Sequence, residues 1–320
     1  MTDYILRRFL MMIPVLLIVT GVLFVLREAT PGDPASVTIG QETDLNKAEY
    51  QATLDSLRAK YDLDKPLVVQ YVLWVGHAAI GDLGKSYRSN QAVRQAIVER
   101  LPVTLELGVL SLLLSWMIAV PAGVIAAQNR NKLQDLGATF VGLLGLSLPN
   151  IWVAFLLIYV FAVKFQWLPP SGFVPFTDDP VGNLRSMILP VITLGTSGAA
   201  VIMRLTRSSL LEVIAQDYMR TARAKGLRER VILWRHGMRN ALIPITTVVG
   251  LELGGLIGGA FIIEQIFSLP GMGKLAVDAI YARDYPIVQG VLLVSTVTYL
   301  FANFAVDMCY GLLDPRIRYD

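Results

Sequence analysis

The sequence predicts an all-α membrane protein with six transmembrane helices. Three observations carry that prediction. Hydrophobic residues make up 54% of the 320 residues against 17% charged, and the mean hydropathy is +0.54, a balance of multi-span membrane proteins rather than soluble domains. Six apolar runs, Phe9–Leu26, Leu107–Ala127, Leu136–Val163, Met187–Met203, Ala241–Ile263 and Ile287–Val306, reach or approach the roughly 20 residues a helix needs to cross the hydrocarbon core. Lys and Arg are shared unequally between the connections on alternate sides.

The first run follows Arg7-Arg8, as in a signal peptide. It has no small-x-small cleavage pattern before Thr30-Pro31, so it reads as a first membrane helix. The segment from Arg27 to Arg100 opens on a Pro31-Gly32-Asp33-Pro34 turn. Leu54, Leu57 and Tyr61 keep helical spacing until Asp64-Lys65-Pro66 breaks it. Val68 to Ile80 is apolar and stops at Gly81-Asp82-Leu83-Gly84. Val93, Ile97 and Leu101 then run at helical spacing into the second span. A small helical subdomain between the first two spans follows from this pattern.

Pro14, Pro121, Pro149 and Pro190 fall inside apolar runs, where neighbouring helices or water can satisfy the freed backbone groups. Leu148-Pro149-Asn150 interrupts the third run, adds a polar amide in mid-membrane, and admits two readings: a packing kink, or a bundle with an internal cavity. The fourth run is short and borrows flanking residues. The fifth carries Gly250, Gly254 and Gly258, with Gly255 and Gly259 one position on. Such a stripe suits close helix approach, or the lining of a wide translocation path. Glu252 lies in the same run, and an ionisable group inside a membrane marks a functional site facing the bundle interior or water. Asp307, near the end of the last run, suits pairing with a basic loop residue as well as a transport role.

One set of connections holds Arg7, Arg8, Arg130, Lys132, Arg204 through Arg239, Arg316 and Arg318. The opposite set holds Lys164, Arg185, Lys274 and Arg283, apart from the long segment 27–100, which is exempt from the charge rule by its length. The asymmetry predicts that both termini, the Asn129–Leu133 turn and the loop 208–240 are cytoplasmic. The chain then divides into an N-terminus with the first spanning helix (1–29), an extracytoplasmic helical subdomain (30–100), a five-helix core containing the loop 208–240 (101–312), and a cytoplasmic tail (313–320).

A net charge of +3, with the basic residues beside membrane spans, argues against nucleic acid and for membrane lipid as the surrounding partner. One cysteine, Cys309, excludes an intramolecular disulfide or a Cys-rich metal site. His77 and His236 stand far apart without Cys or His neighbours. No metal or cofactor is expected on this chain, and no nucleophile–base arrangement suggests an enzyme. Ala79 to Ser86 imitates a phosphate-binding loop, but no βαβ pattern surrounds it, and it lies outside. A path across a membrane without an energy source leaves two possibilities: a gradient, for which Glu252 is the candidate, or an energising partner.

The stretch from Ser208 to Pro244 is the one long basic segment between two spans. Ser209-Leu210-Leu211-Glu212 has capping-box spacing and predicts a helix start. Ala222 and Ala224 favour helix, Lys225 suits a helix end, and Gly226 supplies the positive φ that stops it. Arg228 to Arg239 predicts a second helix, handed on by Pro244 to the fifth run. Attraction to anionic lipid accounts for part of this basic surface. A helix–Gly–helix element tied to two spans is also shaped to be pushed.

Asp217-Tyr218-Met219-Arg220-Thr221-Ala222-Arg223-Ala224-Lys225-Gly226-Leu227, with His236 and Arg239-Asn240-Ala241-Leu242-Ile243-Pro244, resembles the coupling loop of binding-protein-dependent ABC transporter permeases. More narrowly, it resembles the first permease subunit of the oligopeptide/dipeptide/nickel family. The resemblance extends to Pro31-Gly32-Asp33-Pro34, Asp64-Lys65-Pro66, Gly81-Asp82-Leu83-Gly84, Thr104-Leu105-Glu106-Leu107, Phe267-Ser268-Leu269-Pro270-Gly271-Met272-Gly273, Arg283-Asp284-Tyr285-Pro286 and Asp314-Pro315-Arg316. The general motif has Glu where this chain has Arg220, and its glycine-to-proline spacing is shorter than that from Gly226 to Pro244.

The resemblance implies a type I importer permease in a bacterial inner membrane. It implies a heterodimer with a second permease, two cytoplasmic ATPase subunits carrying ATP and Mg, and an extracytoplasmic binding protein. The implied solutes are peptides or similar small molecules. Asp217, Tyr218, Arg220, Thr221, Ala222, Lys225, Gly226 and Leu227 become the candidate ATPase-coupling residues. Asn150, Glu252 and Gly255 become candidates for the translocation path.

Overall fold

A computed structural model of the chain describes residues 2–29, 47–60 and 64–313. Side chains are described for these residues except 2–4, 26–29, 47–48, 57, 60, 230, 243, 247–259, 307 and 309–313. The described residues are helical almost throughout, with one isolated β-bridge, Lys85 to Ala92. Pro31–Pro34, Asp314–Arg316 and the side chains of Glu252, Gly255, Asp307 and Cys309 lie outside the described residues.

Helix α1 (Thr2–Ala29) contains the first apolar run. Helices α2 (Lys47–Lys60) and α3 (Leu67–Ala79) are the two helices expected before the second span. α3 lies along α1: Tyr71 Oη donates to the Leu17 carbonyl at 3.0 Å, and the Tyr71 ring meets Phe24 edge-on at 5.6 Å. Helix α4 (Val93–Gln128) continues unbroken through Pro102 and Pro121.

The third apolar run is not one rod. Helix α5 (Leu133–Ser147) and helix α6 (Asn150–Leu157, continuing as a π-helix over Ile158–Lys164) meet at 101°. Pro149 sits in extended backbone at φ −60°, ψ 134° and precedes the first residue of α6. A proline is tolerated at that boundary and restricts the residue before it, so the elbow falls where the sequence places it.

The fourth run is the middle of a far longer helix, α7 (Pro180–Ile214), which Asp179 opens by accepting the Val181 N–H at 3.0 Å. The helix start expected at Ser209 is not there. Ser208 Oγ instead bonds back to the Leu205 carbonyl at 3.0 Å, and fully buried Leu210 continues the apolar face of α7.

Four continuous helices among the described residues are long and apolar enough to cross a bilayer. They are Ile5–Val25 in α1, α4, α7 and Tyr285–Val306, and the bent pair counts as a fifth if it forms one span. Helix α8 (Asp217–Ala224) is short and polar. Helix α9 (Met238–Ile266) has 29 residues, about 43 Å at 1.5 Å per residue. Helix α10 (Met272–Tyr281) and helix α11 (Tyr285–Leu313) complete the chain.

Helix α7 is the hub. In its apolar window 72% of residues are buried, against 33% in α4 and 17% in α1. Its buried side chains form successive layers: Met187, Leu189 and Leu194 with Val103, Leu107, Ala154 and Ile263, then Ile202 and Met203 with Ala119 and Ile245. Close approach depends on missing side chains. A Cβ on Gly123 of α4 would lie 2.6 Å from Thr206 Cβ and 2.8 Å from the Met203 carbonyl oxygen. One on Gly195 would lie 2.9 Å from the Ser111 carbonyl oxygen, and Ser115 Oγ donates to the Gly195 carbonyl at 2.6 Å. Small residues and such hydrogen bonds hold helices together where lipid supplies no hydrophobic drive.

Gly123→Leu is therefore expected to destabilise the bundle by about 1–3 kcal/mol through overpacking. Gly108→Ala, where an added Cβ meets nothing within 4 Å, is expected to be close to neutral. Thermal unfolding of both variants in detergent checks the contrast.

Candidate functional site

Two polar assemblies stand at opposite ends of the bundle. The first follows the end of α7. Met219 is fully buried and Ala222 nearly so. Both sit on one face of α8, three residues apart, and pack with Ile232 against Val213 and Ile214 at the base of α7. Gly237 allows that seat: a Cβ there would come within 3.3 Å of Leu210 and 3.4 Å of Met219.

The opposite face of α8 is exposed. Asp217 and Arg220 stand in solvent with their charges 3.8 Å apart. Thr221 Oγ1 bonds back to the Asp217 carbonyl at 3.0 Å. The Lys225 N–H closes on the Thr221 carbonyl at 3.1 Å, Gly226 has φ +75°, and Leu227 follows half-exposed. The glycine thus ends the helix in the left-handed conformation expected of it. Tyr218 Oη accepts a hydrogen bond from Asn240 Nδ2 at 2.9 Å, and Arg223 Nε donates to Glu229 at 2.7 Å.

The second helix of this element differs from the expectation. A single turn, Glu229–Val231, passes into a π-helix, Ile232–Gly237, and then without a break into α9, so Pro244 is inside a helix rather than at its boundary. Buried Ile232, Leu233 and Met238 fix this continuation against α4 and α7.

Of the eight candidate coupling residues, the structure gathers all on α8 and its C-terminal turn. Ala222 alone faces inward. Asn150 is the first residue of α6, at the elbow, half-buried. Glu252 and Gly255 are on α9, with side chains outside the described residues.

The elbow borders a cavity of about 470 Å³ between α4, α5 and α7, lined by small and apolar residues including Ala122, Gly137, Gly142, Leu148, Val153 and Ala200. The interruption at Leu148-Pro149-Asn150 is a sharp bend, and Leu148 of its three residues lines the cavity; Asn150 is not among the lining residues.

The second assembly, at the other end, was not singled out by the sequence. Glu264 is fully buried near the end of α9. Thr104 Oγ1 of α4 donates to it at 2.6 Å, and the Lys274 N–H in the first turn of α10 at 3.0 Å. The Met272 N–H donates in turn to Thr104 Oγ1 at 2.8 Å. The carboxylate satisfies orphan N–H groups at the start of α10, where a negative charge is favoured. Gly271 makes room, since a Cβ there would fall 2.2 Å from the carboxyl carbon.

In the turn between α10 and α11, Asp284 accepts from Ser86 Oγ and from the Tyr87 N–H, the latter at 3.1 Å. A Cβ on Gly290 would strike Val93 at 2.4 Å. The apparent phosphate-binding loop is therefore a corner clasp. Gly81 and Gly84 turn the chain at φ +83° and +79°, and Ser86 serves Asp284. The Gly84 N–H, then His77, hold the Asp82 carboxyl below its usual range. Among the described residues no cluster of His, Cys, Asp or Glu is arranged to hold a metal ion.

The solved inward-facing MetNI methionine ABC transporter has a similar fold, at a TM-score of 0.55 and 18% identity, covering 69% of this chain and 97% of that one. A crystal structure of an amino acid ABC transporter matches at 0.52 and 15%, covering 68% and 94%. The chain belongs to the family described as "Binding-protein-dependent transport system inner membrane component", whose model matches residues 119–319. The companion model, "Binding-prot-dependent transport system membrane comp, N-term", matches residues 1–108.

Among relatives, the oligopeptide transport system permease protein AppB of Bacillus subtilis (strain 168) is 40% identical over the whole of both chains. The di/tripeptide transport system permease protein DppB of Pseudomonas aeruginosa (strain UCBPP-PA14) is 42% identical, covering 100% of this chain and 99% of that one. A putative peptide transport system permease protein of Brucella abortus (strain 2308) is 43% identical over 100% of both. The protein is a multi-pass membrane permease.

Glu264→Ala is expected to cost about 2–4 kcal/mol, because it leaves the buried Thr104 hydroxyl and the part-buried Lys274 N–H without their acceptor. Glu264→Gln retains one acceptor and should lose less. Unfolding transitions of the purified variants give the comparison.

Proposed function

We propose that the chain imports peptides or similar small solutes as one permease subunit of an ATP-driven importer, with α8 receiving the motion of a partner ATPase. The observation that carries this reading is the division of α8 into a docked face and an exposed one. Met219 and Ala222 fix the helix to the base of α7, while Tyr218, Arg220, Thr221 and Lys225 face outward. A short helix held this way moves with α7 as a rigid body. The named specificity of the relatives supports peptides as the solute class.

In this reading the chain crosses a bacterial inner membrane six times, with α9 and the bent pair each counted as a crossing. Both termini and α8 are cytoplasmic, and residues 30–100 lie outside. A second, different permease subunit completes the path, and an extracytoplasmic binding protein delivers the solute. Two ATPase subunits hold ATP and Mg and perform the hydrolysis, so this chain is non-catalytic and binds no cofactor. Asn150, Glu252 and Gly255 border the path. Family membership favours this reading over a gradient-driven carrier, which would need another account of the exposed α8.

Gly226→Val places a β-branched residue at φ +75°, a strain of about 1–2 kcal/mol, in open surroundings where no side chain is displaced. The expected outcome is a protein present in the membrane at normal levels, with ATP-dependent uptake of a labelled tripeptide reduced at least severalfold. Normal uptake by that variant would count strongly against the coupling role.

A further inference from the structure

We infer that the Asp135–Arg207 ion pair is a positioning link that carries movement of α8 into the bent helix pair α5–α6, an inference that rests on the ATPase-coupled reading above. Asp135 lies in the first turn of α5 with its side chain 3% exposed. Arg207 of α7 grips it with two nitrogens, Nε on Oδ1 and Nη2 on Oδ2, the latter at 2.8 Å. The Asn131 N–H, from a residue at φ +64° in the turn before α5, adds a third bond to the same carboxylate at 2.9 Å. The entry to α5 is thereby bolted to α7.

Arg207 is also joined to α8. Three residues on, Leu210 packs with Leu233 and Met238, and beyond it Val213 and Ile214 carry Met219 and Ala222. One unbroken series of packed groups thus leads from α8 through α7 to Asp135.

From Asp135 upward, α5 meets α7 through glycines. A Cβ on Gly142 would lie 2.3 Å from Met203 Cε, and one on Gly145 would lie 3.3 Å from Ala200 Cβ. The 470 Å³ cavity lies alongside, bordered by Gly137, Ala138, Leu148 and Val153. α5 is thus held to α7 at its entry by the ion pair and along its face by close glycine contacts, so a displacement of α7 carries α5 and its elbow with it. Separating a bidentate pair whose carboxylate is buried is expensive, so the bolted ends move together.

The test uses the complete transporter, purified with its partner subunits into lipid nanodiscs. Spin labels at Leu113→Cys on α4 and Leu146→Cys on α5, in a Cys309→Ser background, report the α4–α5 distance with and without ATP. Proteoliposome uptake of a labelled tripeptide per ATP hydrolysed reports coupling. Asp135→Asn is expected to abolish the ATP-linked distance change and to lower uptake per ATP about fivefold to tenfold, while basal hydrolysis persists. Arg207→Lys alone, which keeps the charge but not the two-nitrogen grip, should retain part of both.

The double variant Asp135→Asn with Arg207→Gln removes the pair without burying a lone charge, and so guards against misfolding. The inference expects it to assemble and remain uncoupled. Wild-type distance change and uptake per ATP in that double variant would overturn it. Failure of the coupling reading itself would show separately, as an unaltered wild-type protein whose distance does not respond to ATP.

Discussion

The close packing of α7 against α4 and α5 is the constraint on which the rest of the structure depends. In lipid, apolar side chains gain nothing by leaving their solvent, so the helices must meet closely enough for dispersion and interhelical hydrogen bonds to hold them. Gly123 and Gly195 admit the α4–α7 contact, and Gly142 and Gly145 admit the α5–α7 contact. Because α7 is buried along its length, anything attached to its end is attached to the centre of the bundle. α8 is attached there, through Met219, Ala222 and Ile232.

The two ends of the bundle are built differently. At one end, Glu264 and Asp284 tie α4, α9, α10 and the loop before α4 into a densely hydrogen-bonded corner. At the other, α8 is docked by one face and exposed on the opposite one, and one bidentate ion pair bridges to a helix pair bent by 101° beside a cavity. A rigid corner opposite a jointed end suits rigid-body transmission between two arrangements of the bundle.

Much of the fold was legible in the sequence, because bilayer length and hydrophobic content are strong signals. α1, α3, α4, α9 and α11 contain the apolar runs or stretches read from composition, and Gly226 ends α8 as its conformational freedom predicts. The helix boundaries around Ser209 and Pro244 were not legible. Capping residues and proline are local preferences, and burial of Leu210, Leu233 and Met238 overrode them. Glu264 and Asp135 carry no local sequence signal, because their partners are distant in sequence, Thr104 and Arg207 lying 160 and 72 residues away. Arg207 counted only as one basic residue among many near a membrane boundary. Which partner a charge meets is a property of the packed bundle.

The most direct test of the account is to ask what α8 touches in the assembled transporter. Leu227→Cys in a Cys309→Ser background places one reactive thiol on the exposed turn after α8, and a short cleavable crosslinker followed by mass spectrometry identifies its neighbour. The account predicts crosslinks to the ATPase subunit, altered in yield by ATP. Crosslinks confined to this chain or to the other permease subunit, with the ATPase present and active, would contradict it.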